Sequence, residues 1–181
     1  MRIFPSRLRR MPATFGLYVG SDLLMDLKKA ALVLVGILFL GALWLRAWLL
    51  PERQIPRAQA RLLSAIEGRD FDAMAGMLAN DYRDRWQQDR AAAIARSREV
   101  FGQFATLTIG HEQSGLRAES GSWFLSEKLR LKGLGGSLAM AARETVNGLR
   151  QPFVMEWRQR SWKAWDWELK SVTQPEVELP E

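Results

Sequence analysis

Apolar residues are spread along this chain in three different ways. Residues 30–50, AALVLVGILFLGALWLRAWLL, form one continuous apolar run in which Arg46 is the only charge. At about 1.5 Å per residue such a helix is roughly 31 Å long, close to the bilayer hydrocarbon core of about 30 Å. Polar residues are missing from every face, which argues against a buried helix of a soluble domain. Beyond residue 56 the apolar positions recur with a period near 3.6. Leu62, Leu63 and Ile66 form a stripe in a predicted helix over 57–68, closed by Gly68. Asp70 is a good N-cap for a second helix over 71–79 with Phe71, Met74, Met77 and Leu78 on its apolar side. After the polar stretch YRDRWQQ, residues 89–104 read as a third helix carrying Ile94, Phe101 and Phe104 on one face.

From Thr106 the period drops to two. Leu107, Ile109 and His111 alternate with Thr106, Thr108 and Gly110, the pattern of a half-buried strand. A Gly/Ser turn leads to a strand over 122–132, in which Trp123, Leu125, Leu129 and Leu131 face one way. Residues 133–137 read as a loop, and 138–149 as a short apolar helix or irregular cover. FVMEWRQR and WDWELKSV are predicted to form a closing hairpin, and QPEVELPE is a proline-bounded acidic tail.

This pattern sets the expected domain organisation: a basic leader over 1–29, a transmembrane helix over 30–50, a proline-bounded linker over 51–56, a domain over 57–175 and a tail over 176–181. Cleavage as a signal peptide fits less well. The run exceeds the usual apolar length, and PERQIP supplies no small-x-small site. Arg46 can snorkel to the headgroups, with Trp44 and Trp48 at interfacial depth. Residues 22–29 suit a juxtamembrane helix with Leu23, Leu24 and Leu27 along the membrane plane.

Charge refines the picture. The net charge is +6, but residues 1–56 carry +5 of it and residues 57–181 only +1. A nearly neutral domain lacks the basic footprint of a phosphate binder, so nucleic acid is not an expected partner. The six basic residues of the leader predict an N-terminus inside and a C-terminal domain outside. The expected location is a bacterial inner (cytoplasmic) membrane with a periplasmic domain. The Arg-rich start also fits a mitochondrial presequence, which keeps the mitochondrial inner membrane as the alternative. The chain has no cysteine, which excludes thiolate metal sites, iron–sulfur clusters and disulfides. One histidine and no acidic cluster at ligand spacing give no metal site, and no cofactor is expected. KGLGGS at 132–137 has no Lys-Ser/Thr after its last glycine and reads as a turn, not a phosphate loop.

LLSAIEGRDFDAMAGMLANDY at 62–82, followed by the Trp-rich pair FVMEWRQRSWKAWDWELKSV at 153–172, resembles the nuclear transport factor 2-like (cystatin-like) superfamily. The likeness covers residues 57–175 and implies an α+β fold. In that fold three helices lie on a curved antiparallel sheet and leave a conical pocket. The superfamily holds isomerases, dehydratases and cyclases beside non-catalytic assembly modules, so fold alone does not deliver function.

Candidate chemistry follows from the strand phases. His111 is in phase with Leu107 and Ile109 as a pocket base or a core imidazole, with no acid visibly placed to orient it. Glu127 shares the parity of Trp123, Leu125 and Leu129 and so points inward as a lone carboxylate. Asp81-Tyr82 supplies a base and a phenol, or simply the loop that ends the second helix. Trp157, Trp162, Trp165 and Trp167 read as sheet packing or as a surface for a ligand or partner. The expected function is a single-pass, non-catalytic interaction or assembly module on the extracytoplasmic face, with the bilayer, an envelope protein or a second copy as partner. The alternative is a small-molecule binder or isomerase/dehydratase-type enzyme using the cone.

Overall fold

The computed structural model describes residues 20–177, with side chains described from Lys29 onward. The elements in order are α1 (Gly20–Trp48), α2 (Pro51–Glu67), α3 (Phe71–Met77), α4 (Arg90–Phe101), β1 (Phe104–Glu119), β2 (Ser122–Gly135), α5 (Ser137–Gly148), β3 (Phe153–Gln159) and β4 (Trp167–Thr173). The chain divides into two units, Met1–Leu45 and Arg46–Glu181.

In the first unit, α1 supplies the one described helix long and apolar enough to cross a membrane. Its candidate span is Lys29–Trp48, with mean hydropathy 2.2 and no buried share. Leu32, Val35 and Phe39 are exposed along it. The helix ends at Trp48, two residues before the expected end at 50, and its backbone is helical from Gly20. The rest of the leader, and the side chains of Leu23, Leu24 and Leu27, lie outside the described residues.

The second unit is an α+β roll whose sheet has strand order β1-β2-β3-β4, antiparallel throughout. Residues 51–56 are not a linker. Pro51 occupies the first turn of α2, where its missing N–H costs nothing, and the helix continues through Pro56. The sequence rule that proline ends helices fails here because Pro56 is held in a well-packed helix: Ile55 and Ala58 beside it are buried. The inward stripe of α2 is therefore longer than expected, running through Ile55, Ala58, Gln59, Leu62, Leu63 and Ile66. Asp70 and Asp89 cap α3 and α4 by accepting the Ala73 and Ala92 N–H groups, both at 2.9 Å. The third helix stops at Phe101, and Phe104 already belongs to β1.

β1 and β2 are longer than the alternation suggests. They are joined by Ser120–Gly121, both at positive φ (50° and 82°), the two-residue hairpin geometry that matches strand twist. A bulge between Gln113 and Gly115 shifts the register by one residue. Ser114 Oγ donates to the Ser126 carbonyl at 3.1 Å there. Inward positions on β1 accordingly change from odd (Ile109, His111, Gln113) to even (Leu116, Ala118). Gly133 to Gly135 continue β2 and do not form part of the expected loop. Gly133 comes so close to β1 that a Cβ there would sit 1.9 Å from the Thr106 carbonyl oxygen. A fourth helix, α5, then covers β2, with Ala139 fully buried and Asn147 donating to and accepting from the Leu131 backbone.

The core lies between α2, α3 and the inner sheet face, with Leu125, Leu131, Met155, Trp157 and Leu169 on the sheet side. Of the expected acidic tail, Glu176 is tied down by the Arg150 and Gln151 N–H groups, and residues 178–181 lie outside the described residues. Leu125 is fully buried at the centre of the sheet. Leu125→Ala is expected to cost about 2–5 kcal/mol in chemical denaturation of the full chain. Trp162→Ala, at a position 87% exposed, is expected to stay within about 0.5 kcal/mol.

Candidate functional site

The segment between α3 and α4 fixes the site. It runs beside the free edge of β4, where the Ala79, Arg83 and Arg85 N–H groups donate to the carbonyls of Leu169, Lys170 and Val172 at 2.9–3.1 Å. This lacing covers an otherwise open sheet edge. It also holds Tyr82 and Asp84, both buried, against the space between helices and sheet.

That space is a cavity of about 490 Å³, within the usual range of small-molecule sites. Its wall is mostly hydrocarbon: Leu62, Leu63 and Ile66 from α2, Val100 and Phe101 from α4, Val146 from α5, and Leu129, Phe153, Met155 and Val172 from the sheet. The polar lining includes Gln59, Tyr82, Asp84, Gln88, Arg96, Ser97 and Thr145. Burial, and secondarily the charge of Asp84, push the Tyr82 phenol well above its ordinary value of 10.0, so it stays a neutral donor and does not serve as a base. Burial also raises the Asp84 carboxyl above 3.8, against hydrogen bonds from the Gln88 and Trp86 backbone that work the other way. Its Oδ1 accepts the Gln88 N–H at 2.9 Å. Arg96 is bonded to Glu99 at 2.8 Å.

Gln59 stands apart. It is fully buried, and neither Nε2 nor Oε1 has a partner. Buried polar groups without partners are rare, and each costs about 1–3 kcal/mol. Sequence reasoning missed this residue because the helix was begun at 57. With the helix started at Pro51, Gln59 falls at a core position, four residues after Ile55 and three before Leu62.

The structure brings two candidates together away from the cavity lining. His111 Nδ1 and Glu127 Oε1 lie 3.2 Å apart. The Glu127 side chain is 2% exposed and that of His111 is 40% exposed. Glu127 is thus the acid that the sequence did not show beside His111. The link is visible only in the register, where His111 opposes Leu129 and Gln113 opposes Glu127 on the same face. Glu127 Oε2 is buried and unpartnered. A buried carboxylate beside an accessible imidazole has the form of an acid–base pair. Leu129 and Phe153, the register neighbours of His111 and Glu127, line the cavity; His111 and Glu127 do not.

Asp81 and Tyr82 separate. Asp81 is exposed, and the Arg158 guanidinium, bonded to it at 2.7 and 3.0 Å, holds its carboxyl below the usual range. Arg158 also bonds Glu168 at 2.7 Å, so it is spent on structure. The tryptophans divide as well. Trp157 and Trp167 are buried, and Trp123 lies across from Trp157 in the sheet. Trp162 and Trp165 are exposed in the turn ahead of β4, which begins only at Trp167. These five tryptophans are not part of the cavity lining. Among the described residues no group of three or more His, Cys, Asp or Glu could hold a metal ion.

No protein-family model and no curated protein sequence matches the chain. Solved structures do. A conserved protein of Planctomyces limnophilus is similar at TM-score 0.54 and 12% identity, over 68% of this chain and 93% of that one. A protein of Nostoc punctiforme described as having a cystatin-like fold is similar at TM-score 0.46 and 12% identity, over 70% and 92% of the two chains. An NTF2-like protein of Cytophaga hutchinsonii is similar at TM-score 0.44 and 15% identity, over 65% and 91%. Identities this low speak to fold alone.

Asp84 gives the site a pH signature. Its folded-state pKa lies above the ordinary 3.8. The folded protein therefore binds a proton that the unfolded chain has released, and stability falls as pH rises from 3.8 through the folded value. Asp84→Asn keeps an acceptor for the Gln88 N–H and removes the titration. Thermal unfolding across pH should show the variant gaining on the parent above 3.8, with the difference fading below it.

Proposed function

We propose that this protein is a single-pass, membrane-anchored binding module that receives an apolar small molecule in the interior of its C-terminal domain and does not act on it chemically. The observation that carries this reading is the cavity of about 490 Å³ walled by hydrocarbon. A closed, well-packed core would leave no such space, because interiors pack to crystal-like density. The polar groups around it suit recognition better than catalysis. Tyr82 remains protonated, Asp81 is held by Arg158, and His111 with Glu127 is outside the lining.

In this reading Lys29–Trp48 is the anchor, the basic leader stays on the cytoplasmic side, and the domain stands on the extracytoplasmic face of a bacterial inner membrane. The envelope protein partner or second copy expected from the layout remains part of the proposal. For such a surface the exposed Trp162 and Trp165 are the available aromatic anchors.

A second reading, an isomerase/dehydratase-type enzyme, is favoured by the 3.2 Å approach of His111 to the buried Glu127. It requires a substrate to reach an imidazole beside the cavity wall, and His111→Gln would abolish turnover while leaving hydrocarbon binding intact.

Ligand entry can be read by photolabelling. A straight-chain hydrocarbon bearing a terminal diazirine, irradiated with the full chain in phosphatidylcholine nanodiscs, should mark Leu129 or Phe153. Val146→Trp fills the same space and should lower those adducts about tenfold, with labelling of α1 by lipid-dissolved probe unchanged. Equal adducts in parent and variant would remove the cavity reading. Topology is read separately, since the chain has no cysteine of its own. In bacterial spheroplasts an impermeant maleimide should label Thr108→Cys at once and Ser6→Cys only after lysis; the reverse order would overturn the orientation.

A further inference from the structure

We propose that the cavity selects a neutral, largely hydrocarbon ligand whose head group both donates and accepts hydrogen bonds, a primary carboxamide in its simplest form, and that the side-chain amide of Gln59 reads that head group. This rests on the cavity being a ligand site, and it adds what the ligand must carry.

Three glutamines of the domain are buried to 2% exposure or less: Gln54, Gln59 and Gln174. Gln54 donates to the Trp48 carbonyl at 2.7 Å. Gln174 donates to the Gln151 carbonyl at 2.8 Å and accepts from the Glu176 N–H at 2.7 Å. The protein thus satisfies the buried amides that stand away from the cavity. Gln59, the one in the cavity wall, has no partner at either amide atom. Its neighbours along the inward face of α2 are Ile55, Ala58, Leu62, Leu63 and Ile66, and none offers a polar group. A side chain that combines donor and acceptor is complemented by another that does the same, as two amides pair through two N–H···O contacts.

Charge narrows the class. Asp84 lines the same cavity and disfavours an anionic head. The guanidinium in the lining, Arg96, is already bonded to Glu99 at 2.8 Å and does not stand free for a carboxylate. A charged head of either sign would be desolvated against a wall that is mostly hydrocarbon, and Gln59 itself carries no charge to offset that cost. What remains is neutral. Tyr82, protonated and in the same lining, offers a second hydrogen-bonding group to a ligand in the cavity.

The test uses the full chain in phosphatidylcholine nanodiscs and four probes of equal chain length with the same terminal diazirine. One is headless, and the others end in a primary amide, a carboxylate and a trimethylammonium. The amide probe should label Leu129 and Phe153 about tenfold more than the headless one, as expected for hydrogen bonds to buried, unpaired groups. In Gln59→Met, similar in shape but apolar, the amide probe should fall to the level of the headless probe, whose own labelling persists and shows that the cavity is intact. Equal labelling by amide and headless probes in the parent overturns the role of Gln59 and leaves a plain hydrocarbon site. The same holds if the preference survives in Gln59→Met, or if a charged probe labels best. No cavity adducts with any probe overturn both this inference and the binding function beneath it.

Discussion

The register between β1 and β2 is the constraint on which the domain depends. Side chains alternate strictly across a strand, so one extra residue moves every later side chain to the opposite face. β1 uses this at Ser114. Before the bulge Ile109, His111 and Gln113 face inward; after it Leu116 and Ala118 do. Without the bulge, Leu116 would leave the sheet face that it shares with Ile109 and Leu125. The Ser120–Gly121 turn starts the pairing and the bulge corrects it midway, with Ser114 Oγ bonded across to Ser126. From that register follow the burial of Leu125 and Leu131, the meeting of Glu127 with His111, and the placing of Leu129 on the cavity wall.

The helices then cover this face without filling it. α2 is tied to the sheet at its C-terminal end, where the Glu67 carboxylate accepts the Ile109 N–H and Arg69 donates to the Phe104 carbonyl. At the other side of the sheet the 78–86 segment is laced to β4. α5 is held to β2 by the double contact of Asn147 with Leu131. These are polar, directional ties at the margins of the helix layer. They fix the separation between helices and sheet, so the space between them is kept open by geometry that side-chain collapse cannot easily close. Tyr82 and Asp84 reach that space because the segment carrying them is pinned on alternate residues, at Arg83 and Arg85.

The expected fold class, the helix cap at Asp70 and the closing hairpin were legible because each depends on residues near one another in sequence. The start of α2 was not. Pro51 and Pro56 read as breakers, yet the first sits in the opening turn and the second within a helix whose inward face is buried. With the longer helix Gln59 stands between Ile55 and Leu62 in the middle of the buried stripe and no longer in a first turn. His111 and Glu127 were each placed inward by strand parity, but their partnership depends on the pairing of two strands across sixteen residues of sequence. The bulge that sets this register carries no signal of its own beyond an unremarkable Gln-Ser-Gly. The fate of the tryptophans was equally out of reach, since burial of Trp157 and exposure of Trp162 follow from where the turn ahead of β4 begins.

Anchor and cavity reinforce each other in the proposed function. Hydrocarbon ligands concentrate in a bilayer, and a binding domain tethered at the membrane meets them at an effective concentration that a freely diffusing protein does not. Such a domain gains little from further apolar surface in its pocket, because lipid competes for the ligand on the same terms. Discrimination must come from groups that lipid tails lack. A buried amide with two unmet hydrogen bonds is a group of that kind: its cost is borne by the empty fold and recovered only by a ligand that pairs with it. On this account the placement of one polar residue in the hydrocarbon wall is what separates a binding site from a continuation of the membrane.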